Sequence, residues 1–513
     1  MSERHRLPVI VGVAQHTDRD STPDQALGPL ESLVKVARGA AVDAGARSLL
    51  ANLDSVVVVR SFPDSTPRVG RPFGGPDNPP RSLAREIGAA PRELLHTSAG
   101  GNMPLVALAR ACDQIAEGRS EAALIAGAEV LRTQRLALRA GLSLNWDDPA
   151  PDKPQLLGEM RPAVSEREAL HGLNAPIHGY PLFEIALRAK RGTTPSQHML
   201  DMGRLFEPFA AVAAGNPFAA RRQMLSAEEI ATETAANRMI SYPYTRLMNA
   251  NVHVDQAAAL IVCSEAFADR LGIAESRRVR LHGAASGNDH WYVTERPDLS
   301  RSEPIHRVVA KALDMAGSKI DRMSLLDIYS CFPSAVEVAC AEIGVAEDDR
   351  RGLTVTGGLP YFGGPGNNYV THAIAEIVQR LRLNPGCYGL VTGNGNYLTK
   401  HAAGVFSTKP LNGPWESEHP SVLQAELDGR PRTTLHPEPN GRGHIETYTV
   451  SYGKDGPAGV IIIGRLDDGA RFIARLADGC PVPNAVLNQE MVGRAVTVST
   501  SDGLSTCTME AFR

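Results

Sequence analysis

Short apolar runs separated by stretches of helical period set the outline of this chain. Pro8–Val13, Val56–Val59, Ala122–Ala126, Ala257–Val262, Leu325–Tyr329 and Gly389–Thr392 are rich in Val, Ile, Leu and Ala. Apolar runs of this length suit strands of a sheet covered on both faces. In Asn102–Glu117, Met103, Val106, Leu108, Cys112 and Ile115 fall roughly on one helical face. Val370, Ile374, Ile377, Val378 and Leu381 do the same in Asn368–Leu383. Strands that alternate with helices predict an α/β fold.

At 513 residues the chain exceeds one ordinary domain. Residues 142–250 are richer in Pro, Met, His and charge and read as helices joined by loops, an insertion of the kind that covers a substrate. Pro414, Pro420, Pro431, Pro437 and Pro439 mark 411–443 as a linker. Beyond it the pattern changes to short alternating strands around Tyr448, Val460–Ile463, Phe472–Leu476 and Val496. Turns of Asp455-Gly456, Asp468-Gly469 and Asp502-Gly503 separate them. That pattern predicts a small β-barrel or sandwich over 444–513, of which the antiparallel barrel is the one expected here. The expected division is an α/β domain over 1–410 (halves 1–141 and 251–410 around the insertion 142–250), the linker, and the barrel.

A net charge of −4 gives no electrostatic reason to expect nucleic acid or an anionic membrane. Residues 441–513 carry seven Lys/Arg against eight Asp/Glu, which argues against an oligonucleotide on the barrel. No apolar run approaches the ~20 residues of a membrane span, and the polar stretch Met1–Leu7 shows no signal peptide. The seven cysteines are scattered without a CxxC pair, as expected of a reduced cytoplasmic protein with no metal site.

Three segments carry a family resemblance: Gly192-Thr193-Thr194-Pro195-Ser196-Gln197-His198 with Asn216-Pro217-Phe218-Ala219, Asn249-Ala250-Asn251-Val252-His253-Val254-Asp255-Gln256, and Gly357-Gly358-Leu359-Pro360-Tyr361-Phe362-Gly363-Gly364-Pro365-Gly366. Their order and spacing resemble the sterol-carrier-protein branch of the thiolase superfamily, over residues 8–405. The resemblance implies the thiolase fold: two βαβαβαββ halves in α-β-α-β-α layers with a helical loop domain. It also implies CoA or acyl-CoA as ligand with no covalently bound cofactor, and dimers as the usual state. The C-terminal segment resembles the OB-fold domains that accompany thiolase-like acyl-CoA proteins.

The same resemblance locates the catalytic positions, and all four are changed. A thiolase nucleophile is a cysteine at a helix N-terminus, activated by the dipole and unpaired amides; its place falls at Gly101, with Gly100 and Asn102 beside it. The loop that reads His-Asp-Cys-Phe in this branch is Tyr329-Ser330-Cys331-Phe332, so Ser330 replaces a carboxylate. Tyr329 and Cys331 remain the catalytic candidates there. The His of the Gly-His-Pro motif is replaced by Gly364, next to Gly363. The second cysteine is replaced by Val391, or by Thr392 one residue on, ahead of Gly393 and Asn394. Gly100, Gly101, Asn102, Phe332, Gly363, Gly364, Gly393 and Asn394 are expected to line a ligand pocket. Arg188, Lys190, Arg191, Arg221 and Arg222 are candidate phosphate contacts. Three functions stay open: an acyl-CoA-binding protein of lipid metabolism without thiolase activity, an acetyl-CoA acetyltransferase, or a retro-aldolase with Tyr329 as base.

Overall fold

A computed structural model describes residues 6–66, 69–477 and 482–509. Residues 478–481, with Cys480, and 510–513 of the expected barrel lie outside them. The strands in chain order are β1 (Pro8–Asp18), β2 (Ser55–Val58), β3 (Glu93–Thr97), β4 (Ala122–Val130), β5 (Gln155–Leu157), β6 (Met239–Tyr242), β7 (Tyr244–Thr245), β8 (Asp255–Ser264), β9 (Arg280–Asn288), β10 (Leu325–Asp327), β11 (Tyr388–Gly395) and β12 (Lys400–Ser407). Five more follow: β13 (Gly441–Gly453), β14 (Gly456–Leu466), β15 (Arg471–Leu476), β16 (Ala495–Ser501) and β17 (Leu504–Met509).

The first sheet runs β1-β8-β4-β2-β3-β5 and the second β10-β11-β12-β9. In each, an antiparallel trio (β1-β8-β4; β9-β12-β11) continues into a parallel partner (β2; β10). The two halves therefore repeat one arrangement. Strands that were apolar on both faces are buried throughout, as in β4 and β8, because helices cover both sides. The helices Met103–Ala116 and Tyr369–Leu383 place Leu105, Leu108, Cys112, Ile115, Val370, Ile374, Ile377 and Val378 in one central core. Both follow the expected periodicity to within a residue or two. No helix among the described residues is long and apolar enough to cross a membrane.

The C-terminal strands close into a five-stranded barrel in the order β13-β14-β15-β17-β16-β13. Its pairs are antiparallel except β15 with β17, which run parallel. This Greek-key order is that of the OB fold. The barrel is also continuous with the insertion, because β13 pairs with β6.

The segment read as a linker is packed. Trp415 and Ser417 donate to Asp113 Oδ1 at 2.7 and 2.5 Å. The helix Pro420–Asp428 buries Leu423 and Leu427. His290 Nε2 meets the Pro431 carbonyl at 2.7 Å. Its prolines stiffen and start structure instead of marking looseness; Pro420 opens its helix, where the missing N–H has no cost.

Candidate functional site

The N-terminus of the central helix Met103–Ala116 is reached by the turn Ser98–Asn102. Gly100 adopts φ 143°, which a side chain would disfavour. Its N–H donates to Asn367 Oδ1 at 2.8 Å. Asn367 Nδ2 in turn donates to the Arg60 carbonyl (2.7 Å) and Ser65 Oγ (2.9 Å), so one carboxamide ties three loops together.

Gly101 has its side-chain direction blocked. A Cβ there would overlap the Tyr329 hydroxyl and stand 2.6 Å from the Asn394 carbonyl oxygen. Tyr329 thus fills the volume into which a nucleophile would project. Its backbone N–H donates to Thr392 Oγ1 at 2.9 Å and its ring meets Tyr369 edge-on. The fourth loop closes on the same turn: a Cβ on Gly393 would lie 2.8 Å from Asn102 Cα, and one on Gly395 2.9 Å from Gly100 Cα. Gly100, Gly101, Asn102, Tyr329, Gly393 and Asn394 are therefore one cluster.

Other expected residues sit further off. Val391 is a fully buried β11 residue paired with Asp327. Ser330 accepts from the Leu359 N–H at 3.4 Å. Phe332 stacks on Tyr180, centroids 4.4 Å apart. The nearest neighbours of Gly364's missing Cβ are Ala250, Asn251 and Leu359, and those of Gly363's are Gln256 atoms. A cavity of about 20 Å³ opens between Tyr329, Asn394, Leu398 and His401, room for one water.

Burial governs the chemistry of these groups. It pushes the Cys331 thiol up to about 12 and the Tyr329 phenol well above its usual value. Burial thus favours the protonated form of both at neutral pH. Three residues of the cluster were not found from sequence. Tyr180 donates to the Asn396 carbonyl at 2.9 Å and accepts from Asn394 Nδ2 at 3.0 Å. Asn367 is the second. Lys400, the third, opens β12 with its Nζ 2.7 Å from the Ala99 carbonyl and 5.2 Å from the Trp291 ring centroid. Burial pushes its amine down to about 8, with Glu159 opposing. The signal for it was a lysine just ahead of the apolar run Ala402–Phe406.

Three of the expected phosphate contacts are already engaged. Arg188 is buried and donates to Tyr242 and Tyr448 hydroxyls (3.1 and 3.3 Å) and to Glu490. Lys190 meets Ser300 and Asp298, and Arg191 meets Glu337 and Glu347. Arg221 and Arg222 have no ion-pair partner among the described residues, nor do Arg135, Arg139 and Arg246. Burial, then Arg139, Arg246 and Arg132, hold Arg135 below its ordinary value. The same guanidiniums, Arg135, Arg139 and Arg246, act on His253. Arg135 Nε is buried without a partner.

Two further groups were not anticipated. At the C-terminal ends of β2, β3 and β4 a cavity of about 60 Å³ is lined by Asp64, His96, Glu129, Gln134 and Trp146 among others. Glu184, His198 and Glu337 gather buried ligand-type atoms within 4.8 Å. Tyr244 and Arg191 already donate to those carboxylates, so the group reads as a hydrogen-bonded network.

A family model for the "thiolase-like protein type 1 additional C-terminal domain" matches residues 422–503. Among solved structures, a monomeric SCP2-thiolase-like protein type 1 from Mycobacterium smegmatis is similar at 36% identity and TM-score 0.84, covering 98% of this chain and 99% of that one. The Ltp2-ChsH2(DUF35) aldolase shares the fold alone: 19% identity, TM-score 0.57, 80% of this chain and 100% of that one. A probable acetyl-CoA acetyltransferase of Mycolicibacterium smegmatis is 28% identical over 130 residues, 25% of this chain. The matched stretch spans only 30% of that protein.

Proposed function

Since the chain belongs to the SCP2-thiolase-like proteins of type 1, within the thiolase superfamily, we propose that it is an acyl-CoA-binding protein without thiolase activity. The observation that carries the second half is Tyr329 standing where a nucleophile on residue 101 would project. A covalent thiolase step needs a thiolate there. Cys331, nearby in sequence, is buried and held as a thiol.

The CoA half is supported by the guanidinium cluster. Arg135, Arg139, Arg221 and Arg246 gather with no ion-pair partner among the described residues, which suits the phosphates of a nucleotide tail. The cluster is close enough to the glycine loops. Ala250 N–H donates to the Cys331 carbonyl at 3.1 Å and Gly364 N–H to the Asn251 carbonyl at 2.9 Å. From Ala250 to His253 the chain reaches at most ~11 Å, within the span of a pantetheine arm. Arg221 and Arg222 remain from the residues expected for this task; Arg188, Lys190 and Arg191 do not.

The retro-aldolase reading with Tyr329 as base is disfavoured, because burial keeps its phenol protonated. Calorimetric titration with desulfo-CoA tests the proposal without asking for catalysis. Saturation in the micromolar range, about −8 kcal/mol, is expected, with acetoacetyl-CoA thiolysis at background. No saturation up to millimolar ligand, or thiolysis at ~1 per second or faster, overturns it.

A further inference from the structure

Lys400 is out of place where it stands. The chain uses 8 lysines against 45 arginines (53 together), so a permanent cation is usually supplied here by guanidinium, which suits ion pairs better. Lys400 is only 6% exposed and, among the described residues, has no carboxylate within ion-pairing distance. Lys190 and Lys311 do have carboxylate partners. An ammonium buried without a counter-ion is unfavourable to keep charged.

The groups around it are also incomplete. Asn102 Oδ1, Asn394 Oδ1 and Asn396 Nδ2 are buried with no hydrogen-bond partner. Asn102 Oδ1 lies 3.0 Å from the Cβ direction of Gly395, and Lys400 Cβ lies 3.3 Å from that same point. Gly100, in the facing turn Ser98–Asn102, meets both Asn102 Oδ1 and Lys400 Cδ in its own Cβ direction. Buried orphan polar atoms are rare, and three of them share one loop cluster with an amine whose hydrogen bond goes to the Ala99 carbonyl and not to a carboxylate.

We propose that Lys400 is the reactive amine of this cluster and forms an imine with the ketone or aldehyde carbonyl of a bound ligand. The proposal rests on the reading that these loops hold an acyl ligand. It narrows that ligand to one with a keto group, such as a 3-oxoacyl chain. In the step, the Nζ lone pair adds to the carbonyl carbon and one amine proton passes to the oxygen, giving a carbinolamine. The hydroxyl then leaves as water with the second amine proton, giving the imine. Nothing is oxidised or reduced. Asn102 Oδ1, beside the Lys400 side chain, is the acceptor available to the carbinolamine hydroxyl. Neutral amine is available: with the value at about 8, about a tenth is unprotonated at pH 7, against less than about a thousandth for an ordinary lysine. The charged groups facing it are Glu159, which opposes the shift, and Arg161, which lies 4.8 Å from the same Trp291 ring centroid.

The test is reductive trapping on the full chain with acetaldehyde and, separately, 2-butanone as carbonyl probes, using borohydride and peptide mass mapping. The expected result is one principal adduct, on Lys400, labelled roughly a hundredfold faster at pH 7 than the other lysines, with a rate midpoint near pH 8. K400R should lose that adduct and keep its circular dichroism. Labelling of the other lysines with Lys400 silent overturns the proposal, as does an unchanged principal adduct in K400R. A desulfo-CoA titration on the same preparation separates the two readings. Binding with a silent Lys400 removes the imine and leaves the CoA reading. Trapping at Lys400 without desulfo-CoA binding removes the CoA reading and sustains a carbonyl ligand of another kind.

Discussion

At the scale of single residues, burial decides most of the unusual chemistry, and Glu129 shows it in a measurable form. Its carboxyl ends β4, accepts from the Phe62 N–H at 2.5 Å and is pushed up to about 8 by burial. Gly366 packs against it so closely that a side chain there would overlap its Oε1. Because the folded value lies above the ordinary 4.5, its contribution to stability is complete below about pH 4.5. It shrinks as pH rises and is gone once pH passes 8. E129Q removes the ionisation and keeps hydrogen-bonding atoms. Its stability relative to the native chain should therefore rise between pH 5 and 8, by an amount on the order of a few kcal/mol. Urea denaturation across that range checks it, and parallel curves for the two chains would refute it. What sequence revealed at this scale was the glycines that meet in the cluster, since those are identities. It did not reveal Lys400, Asn367 or Tyr180, because their significance comes from which loops fold against them.

The elements were legible where both faces of a strand are apolar and obscure where they are not. β4 and β8 announced themselves; β9, with His282, Gly283, Ser286 and Gly287, did not, and neither did β12 with its Lys400-His401 start. The linker failed for a related reason: proline density reports stiffness, and only tertiary contacts report packing. The same contacts set how firmly the barrel is held. Arg188 joins the helix Pro176–Arg191 to Tyr242 of β6, Tyr448 of β13 and Glu490, while Ile185 and Tyr242 enter the barrel's own core. Replacing Arg188 by Met leaves two buried tyrosine hydroxyls short of a donor, which should destabilise the chain by about 2–3 kcal/mol. Thermal unfolding should then show an earlier barrel transition. A single unshifted transition would mean that the strand pairing of β13 with β6 carries the attachment alone.

Over the whole molecule, the two repeated halves differ at one edge, and that edge bears on assembly. The second half ends its sheet on β10, a strand of three residues. The first half continues past β2 to β3, and β3 does not end the sheet. Gln155–Leu157 adds alongside it as β5, in parallel register from Leu95 to Thr97. A sheet that would extend through β3 into a second subunit finds its hydrogen-bonding groups already used. The new edge is three residues long, too short to template a stable ladder. Dimers are the usual state implied by the thiolase resemblance, whereas the similar M. smegmatis protein is described as monomeric. From the covered edge, the full chain is expected to run as a monomer in light scattering coupled to size exclusion, at any concentration up to the point of aggregation. Replacing Leu156 by Pro removes one backbone donor and disfavours the ladder. If β5 is what blocks assembly, this variant should gain a concentration-dependent dimer; a native chain that already dimerises would place the interface elsewhere.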